Sequence, residues 1–328
     1  YMIEECDMKK ICVFFLALSF FYGFAENAAS GDFNLSVDLA YYPLSEKISG
    51  ETHFSPLSAP YSGIELRTVA SFTWTIPTPF SENPLVSGNN LKIKAALELS
   101  PVSFVPELSF SFTPIAFLIF STGIKAGSGW TFTPLSVDGM AQYDNASSSY
   151  NPLSPFSSLY YNFWAEALFQ FDLAALYPGE WNHIALVATY KPYYEALSKG
   201  GEGGNPWYWQ GSGEKANAWK YYSSIILAYQ MPLLLQTIAV QTEFEGFYDA
   251  SSFASTYQAW DPCFTKISIS PLVNLEFSKS QNLIILFGFS SRRSFSAATA
   301  GYENDLEKTR IGREWFFNRI ALSYSIRF

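Results

Sequence analysis

The chain of 328 residues is 48% hydrophobic and only 15% charged, which excludes a disordered polymer and leaves room for one large domain or two ordinary ones. Aromatic side chains make up 18% of it, a load that suits a protein facing lipid and anchored at two interfaces better than a soluble globule. A formal charge of −9 without a basic stripe excludes nucleic acid as a partner.

At the N-terminal end, Met8-Lys9-Lys10 precedes an apolar run from Ile11 to Phe21, and Gly23 and Ala25 put small residues at −3 and −1 of a cut. This predicts an export signal over residues 1–25, with Met8 as initiator and residues 26–328 as a single exported domain. The alternative is a retained anchor, for which the run falls short of about 20 residues. Cys12 opens the run rather than closing it, unlike a lipoprotein cysteine. Cleavage leaves Cys263 alone, so no disulfide framework is expected.

Beyond the leader the period is two. Ile64, Leu66, Ala70, Phe72, Trp74 and Ile76 alternate with Glu65, Arg67, Ser71, Thr73 and Thr75. The same holds over 159–173 and 265–277, where Ile267, Ile269, Val273, Leu275 and Phe277 oppose Lys266, Ser268, Ser270, Asn274 and Glu276. Such alternation means a strand with one apolar and one wet face. Twelve segments fit, at about 33–42, 62–76, 91–100, 103–113, 115–125, 159–173, 182–190, 219–230, 233–247, 265–277, 283–293 and 315–328. Most are long enough to cross a bilayer when tilted. The fold class predicted is all-β, a transmembrane antiparallel up-and-down β-barrel of about twelve strands, with ten to fourteen allowed because the region around 77–125 is ambiguous.

The connections alternate in length. Those at 43–61, 126–158, 191–218, 248–264 and 294–314 are long, whereas Pro114, 177–181, Met231-Pro232 and 278–282 are short; 77–90 and Pro101-Val102 break the rule. Long outer loops and tight inner turns place both termini on the periplasmic side. Pro106 and Pro271 fall inside strands and predict a bulge or gap. Tyr41, Tyr42, Tyr160, Tyr190, Trp219 and Trp315 are expected in interface belts.

The polar parity collects Asp38, Glu65, Arg67, Lys92, Lys94, Glu98, Glu107, Glu166, Asp172, Lys266, Glu276, Arg319 and Arg327 as candidate lumen-lining residues. They either fill a narrow interior with ion pairs or line a passage, and Arg319 and Arg327 are candidate closure partners of Asp38. The loop over 126–158 can fold into the lumen as a constriction. Trp207, Tyr208 and Trp209, in a glycine-rich loop, are candidates for stacking on a solute or for the belt. Asn145-Ala146-Ser147 formally matches a glycosylation acceptor. His53 and His183 are expected at opposite ends, His53 projecting outside, so no catalytic, cofactor or metal site is expected. The His-x-Ser-Asn-Gly pattern of the outer-membrane phospholipases is absent.

The last residues alternate strictly, with Ile320, Leu322, Tyr324, Ile326 and Phe328 against Arg319, Ala321, Ser323, Ser325 and Arg327. This strand resembles the C-terminal targeting strand of bacterial outer-membrane β-barrel proteins. The resemblance implies recognition of Tyr324, Ile326 and the closing Phe328 by the barrel-assembly machinery, and insertion in the outer membrane of a diderm bacterium. The expected role is a porin-like passive channel for small solutes, with outer-membrane lipid as its surroundings and no prediction of oligomeric state. The alternative is a surface-exposed structural or adhesive barrel with a closed lumen, whose long outer loops bind a partner.

Overall fold

Strict alternation leaves every strand with an apolar face to cover and two backbone edges to pair, and a closed cylinder in lipid meets both demands. The computed structural model describes residues 29–78, 82, 83, 85–135, 137–296 and 305–328; the leader over 1–25 lies outside them. Twelve strands form the barrel: β1 (Ser30–Leu44), β2 (Ala59–Pro77), β3 (Asn90–Ser100), β4 (Ser103–Ile115), β5 (Leu118–Gly129) and β6 (Tyr160–Asp172). The second half is β7 (His183–Leu197), β8 (Ala218–Gln230), β9 (Leu235–Phe247), β10 (Lys266–Ser278), β11 (Gln281–Phe295) and β12 (Arg310–Arg327). Each pairs antiparallel with its sequence neighbour, and β1 closes on β12 from Asn34↔Arg327 to Tyr41↔Ile320. The fold is therefore a closed, twelve-stranded, antiparallel up-and-down barrel. The ambiguous region holds, since β3 pairs β2 on one side and β4 on the other through a tight Ser100↔Ser103 hairpin.

Seen without lipid, the outer face is an apolar surface in which Leu227 is 58% exposed and Ile64 53%. Each such side chain left in water forfeits about 1.5–3 kcal/mol, so a bilayer is the solvent this face requires. Trp219 and Tyr229 share the outward parity of β8, ten positions apart. At a rise of about 3.3 Å per residue and a tilt of about 40° they stand about 25 Å apart, the height of an apolar band between aromatic girdles. Tyr41, Tyr61, Tyr190, Tyr194, Tyr248 and Trp315 fall at the loop-end girdle, where Tyr190 and Tyr248 share a hydrogen bond of 2.5 Å. Two expected belt residues are corrected by parity: Tyr42 turns inward to Glu65, and Tyr160 is buried inside the barrel.

Proline shapes the ladders. Pro106 pairs with Leu97, but the β4–β5 pairs jump from Phe104↔Ser128 to Glu107↔Lys125. Pro271 pairs with Val240, and the β10–β11 pairs jump from Ile269↔Phe289 to Leu272↔Leu286. Pro192 does the same in β7, where pairing with β6 skips from Tyr190↔Ala167 to Tyr193↔Trp164. In each case the ring takes a ladder donor from one neighbour only. The predicted end of this strand near Tyr190 is therefore wrong: β7 runs on to Leu197. Pro114 is likewise not the turn; the chain reverses two residues later, past a register shift between Phe112 and Ile115. A further shift at Gly288/Phe289 moves the outward parity of β12 from Phe317 to Ile320, with Asn318 as the extra residue.

Candidate functional site, a septum across the barrel mouth

The loops at the long-loop end are folded into the barrel. Residues Ser149–Pro152, Met140–Asp144, Trp207–Trp209 and Ser212–Lys215 form a four-stranded sheet in that order, built from the β5–β6 and β7–β8 connections. One face presents Met140, Trp207 and Trp209 to Val105, Tyr160 and Leu197, on the β4, β6 and β7 side of the wall. There the Trp209 ring stacks on Tyr160, with centroids 4.5 Å apart. The other face presents Tyr143 and Tyr150 to Ala218, Phe247 and Phe295, on the β8, β9 and β11 side, with Phe253, Tyr257, Trp260 and Leu306 from neighbouring loops. Dry packing on both faces makes the sheet a septum standing in the mouth.

The hairpin tip of the septum needs a left-handed turn, with Gln210 at φ 49° and Gly211 at φ 84°. A β-carbon on Gly211 would lie 3.0 Å from a Glu65 carboxylate oxygen, so the tip reaches β2 across the lumen. Gln210 Nε2 donates to Glu98 at 3.0 Å and to Ser103 at 2.5 Å. Nearer its base, Glu214 accepts from Arg293 at 3.0 Å, and Lys215 donates to Glu195 at 3.1 Å. The expected inward-folding loop over 126–158 is thus real, and the β7–β8 loop joins it. Trp207 is fully buried and Trp209 nearly so, which corrects both readings of the Trp207, Tyr208, Trp209 run: two of its rings are core, with no face left for a solute or for lipid. Tyr208 sits on the opposite face, 5.8 Å from Tyr150.

The septum divides the inward charges into two sets. Beneath it, Lys220 Nζ lies 3.1 Å from Glu195 and 2.7 Å from Glu245, and the Glu195 side chain is 2% exposed. Along β1–β3, Arg67, with half its side chain exposed, donates to Asp38 at 2.7 and 2.9 Å and lies 3.5 Å from Glu98. Tyr42 donates to Glu65 at 2.8 Å. Lys92 and Lys94 follow on the inward parity of β3. Lys125 pairs with Glu107 at 3.3 Å, and Lys191, over the Trp164 ring at 4.2 Å, lies within electrostatic reach of Glu166. Lys266 and Arg319 share a cavity of about 180 Å³ with Glu243, Glu245, Ser270 and Ser290.

Other expectations are corrected or displaced. The seam partner of Asp38 is Ser323, directly opposite in register and donating at 2.5 Å, rather than Arg319 or Arg327. Arg327 stands opposite Asn34 near the turn end, and Glu276 opposite Asn282. Asp172 serves a turn: it accepts from Ala174 N at 3.0 Å and meets His183 at 2.6 Å. His53 is tied to the wall, 3.3 Å from Glu314, instead of projecting outside. The two histidines do sit at opposite ends. Tyr324 and Ile326 face outward beside Val37 and Leu35. Phe328 N donates to Phe33 O at 2.8 Å, and the two phenylalanine rings lie 5.9 Å apart.

The residues missed by sequence reasoning include Lys125, Lys191, Glu195, Lys215, Lys220, Glu243 and Glu245. Lys220, Glu243 and Glu245 carried the signal of inward parity on segments already recognised as strands. Glu195 did not, because Pro192 hid the upper part of β7. Among the described residues, no group of three or more His, Cys, Asp or Glu side chains could hold a metal ion.

No known family profile matches the chain, and no curated protein matches it. Among solved structures it is similar to an outer-membrane channel from Pseudomonas putida F1, at 10% identity and a TM-score of 0.46, over 93% of this chain and 97% of that one. It is also similar to the KdgM porin in complex with disordered oligogalacturonate, at 11% identity and a TM-score of 0.36, over 89% and 99%. A third is the translocator domain of the autotransporter NalP from Neisseria meningitidis, at 9% identity and a TM-score of 0.37, over 98% and 95%. These likenesses are loose, and the barrel assignment rests on the closed hydrogen-bonded ladder of the chain itself.

Proposed function

We propose that the protein is a passive, porin-like channel for small solutes in the outer membrane of a diderm bacterium, with no catalytic role. The observation that carries this reading is water inside the barrel beside the septum: the Arg67 side chain is half exposed and that of Glu245 38% exposed in a cavity shared with Lys266 and Arg319, whereas Glu195 and Lys220 are dry. The passage runs along this wetted wall past Glu65, Arg67, Glu98, Lys94 and Lys92, and on beside Arg319 and Lys266. Mixed signs favour neither ion strongly. The outward-facing Tyr324, Ile326 and Phe328 suit recognition by the barrel-assembly machinery during insertion. A second reading, a surface barrel with a closed lumen and partner-binding loops, is favoured by the dry packing on both septum faces.

Planar-bilayer recording separates the two. Stepwise conductance from the refolded protein supports the channel. Silence from the intact protein with steps from a variant lacking residues 205–217 supports the closed barrel, and silence from both overturns the passage altogether.

A further inference from the structure

We propose that the outer edge of the septum carries a binding site for a neutral saccharide. Gln142, Asn145, Asn151 and Asn205 converge with Asp144 and Leu153 on a cavity of about 340 Å³. That volume lies at the lower end of the range for small-molecule pockets, about 300–1,000 Å³.

One of the four carboxamides is held in place from below. The hydroxyl of Tyr257, a fully buried residue on a third loop, donates its one proton to Oδ1 of Asn145, and Asn205 Oδ1 stands 3.4 Å from the same hydroxyl. An amide fixed through its oxygen offers its NH2 group as a donor. Asn151 Nδ2 donates to Asp144 at 3.3 Å, which leaves its own carbonyl oxygen as an acceptor. Donors and acceptors therefore stand side by side on a rigid rim, the pairing that adjacent sugar hydroxyls require, and Leu153 supplies an apolar surface for the C–H face of a ring.

Charge selects against acidic sugars. Of the residues lining the cavity none is Lys or Arg, and Asp144 is the one charged group. Hydrogen bonds from Ala146 N and Ser147 Oγ hold the Asp144 carboxyl below the usual carboxylate range, so it is ionised at neutral pH and repels a second carboxylate. The site does not depend on whether the lumen conducts.

Saturation-transfer NMR on the full chain tests it, in an amine-oxide detergent because sugar-headed detergents would compete. The probes are maltose, cellobiose and lactose, with cellobiouronic acid as the acidic comparison. Transfer to at least one neutral sugar, weakened at least five-fold in both Tyr257→Phe and Asn205→Ala, is the expected result. Tyr257→Phe keeps the ring in its packing, and heat-modifiable gel mobility confirms that both variants fold. No transfer to any neutral probe, unchanged transfer in either folded variant, or stronger transfer to the acidic probe overturns the proposal. Bilayer conductance of the same samples reports on the channel reading separately.

Discussion

Lys220 is an ammonium group enclosed by two carboxylates under a dry sheet, and its value to the barrel differs from that of a lysine on the wet wall. Removing it strips Glu245 of its ion-pair partner and leaves Glu195, which water does not reach, with Lys215 alone. Breaking such a pair costs about 3 kcal/mol. Lys220→Met is therefore expected to destabilise the vesicle-inserted barrel by that amount in urea unfolding followed by tryptophan fluorescence. Lys92→Met, on the wet wall, is expected to change stability by less than about 0.5 kcal/mol. Equal losses would contradict the division into dry and wet charges. Lys94→Glu is expected to shift the reversal potential in a salt gradient toward cation preference, and an unaltered potential would remove Lys94 from the passage.

At the scale of single strands and hairpins, proline sets where the ladders hold. Pro106, Pro192 and Pro271 each leave an interruption on one side of their strand, so amides facing the gap are expected to exchange faster than those of paired neighbours. Hydrogen exchange read out at Phe287, against Ile285 and Phe289, whose amides point the same way and whose pairs hold, checks this for Pro271; uniform protection would contradict it. The septum hairpin has its own prediction. Trp209→Ala empties a core site and costs about 3–5 kcal/mol of packing, so the mouth is expected to loosen and the unit conductance to rise. An unchanged conductance would show that the septum does not limit flow. Much of this level was legible in the sequence. Alternation revealed all twelve strands, and the inward parity revealed Arg67, Asp38 and Glu98 as residues of one wall. What was hidden had physical reasons: Pro192 looked like a strand end, and the bulge at Asn318 switched parity within β12. Trp207 and Trp209 looked like exposed loop aromatics because nothing local tells a loop that folds inward from one that folds out.

For the molecule as a whole, closure and alternation act together. The β1–β12 seam removes the last free edges, and the apolar exterior then needs lipid over about 25 Å of height while the interior keeps water along β1–β3. The barrel was legible because period two is a local property, repeated in every strand. The septum was legible only as an inward-folding loop over 126–158, because its sheet joins residues more than fifty positions apart, and its two cores depend on which walls those residues meet. The most direct test is thiol accessibility along β1 in a Cys263→Ser background, with single cysteines from Asn34 to Tyr41 in the vesicle-inserted protein and a water-soluble reagent. Labelling is expected at positions 34, 36, 38 and 40, with protection at 35, 37, 39 and 41. Labelling without alternation, or protection throughout, would contradict a strand that divides lipid from water.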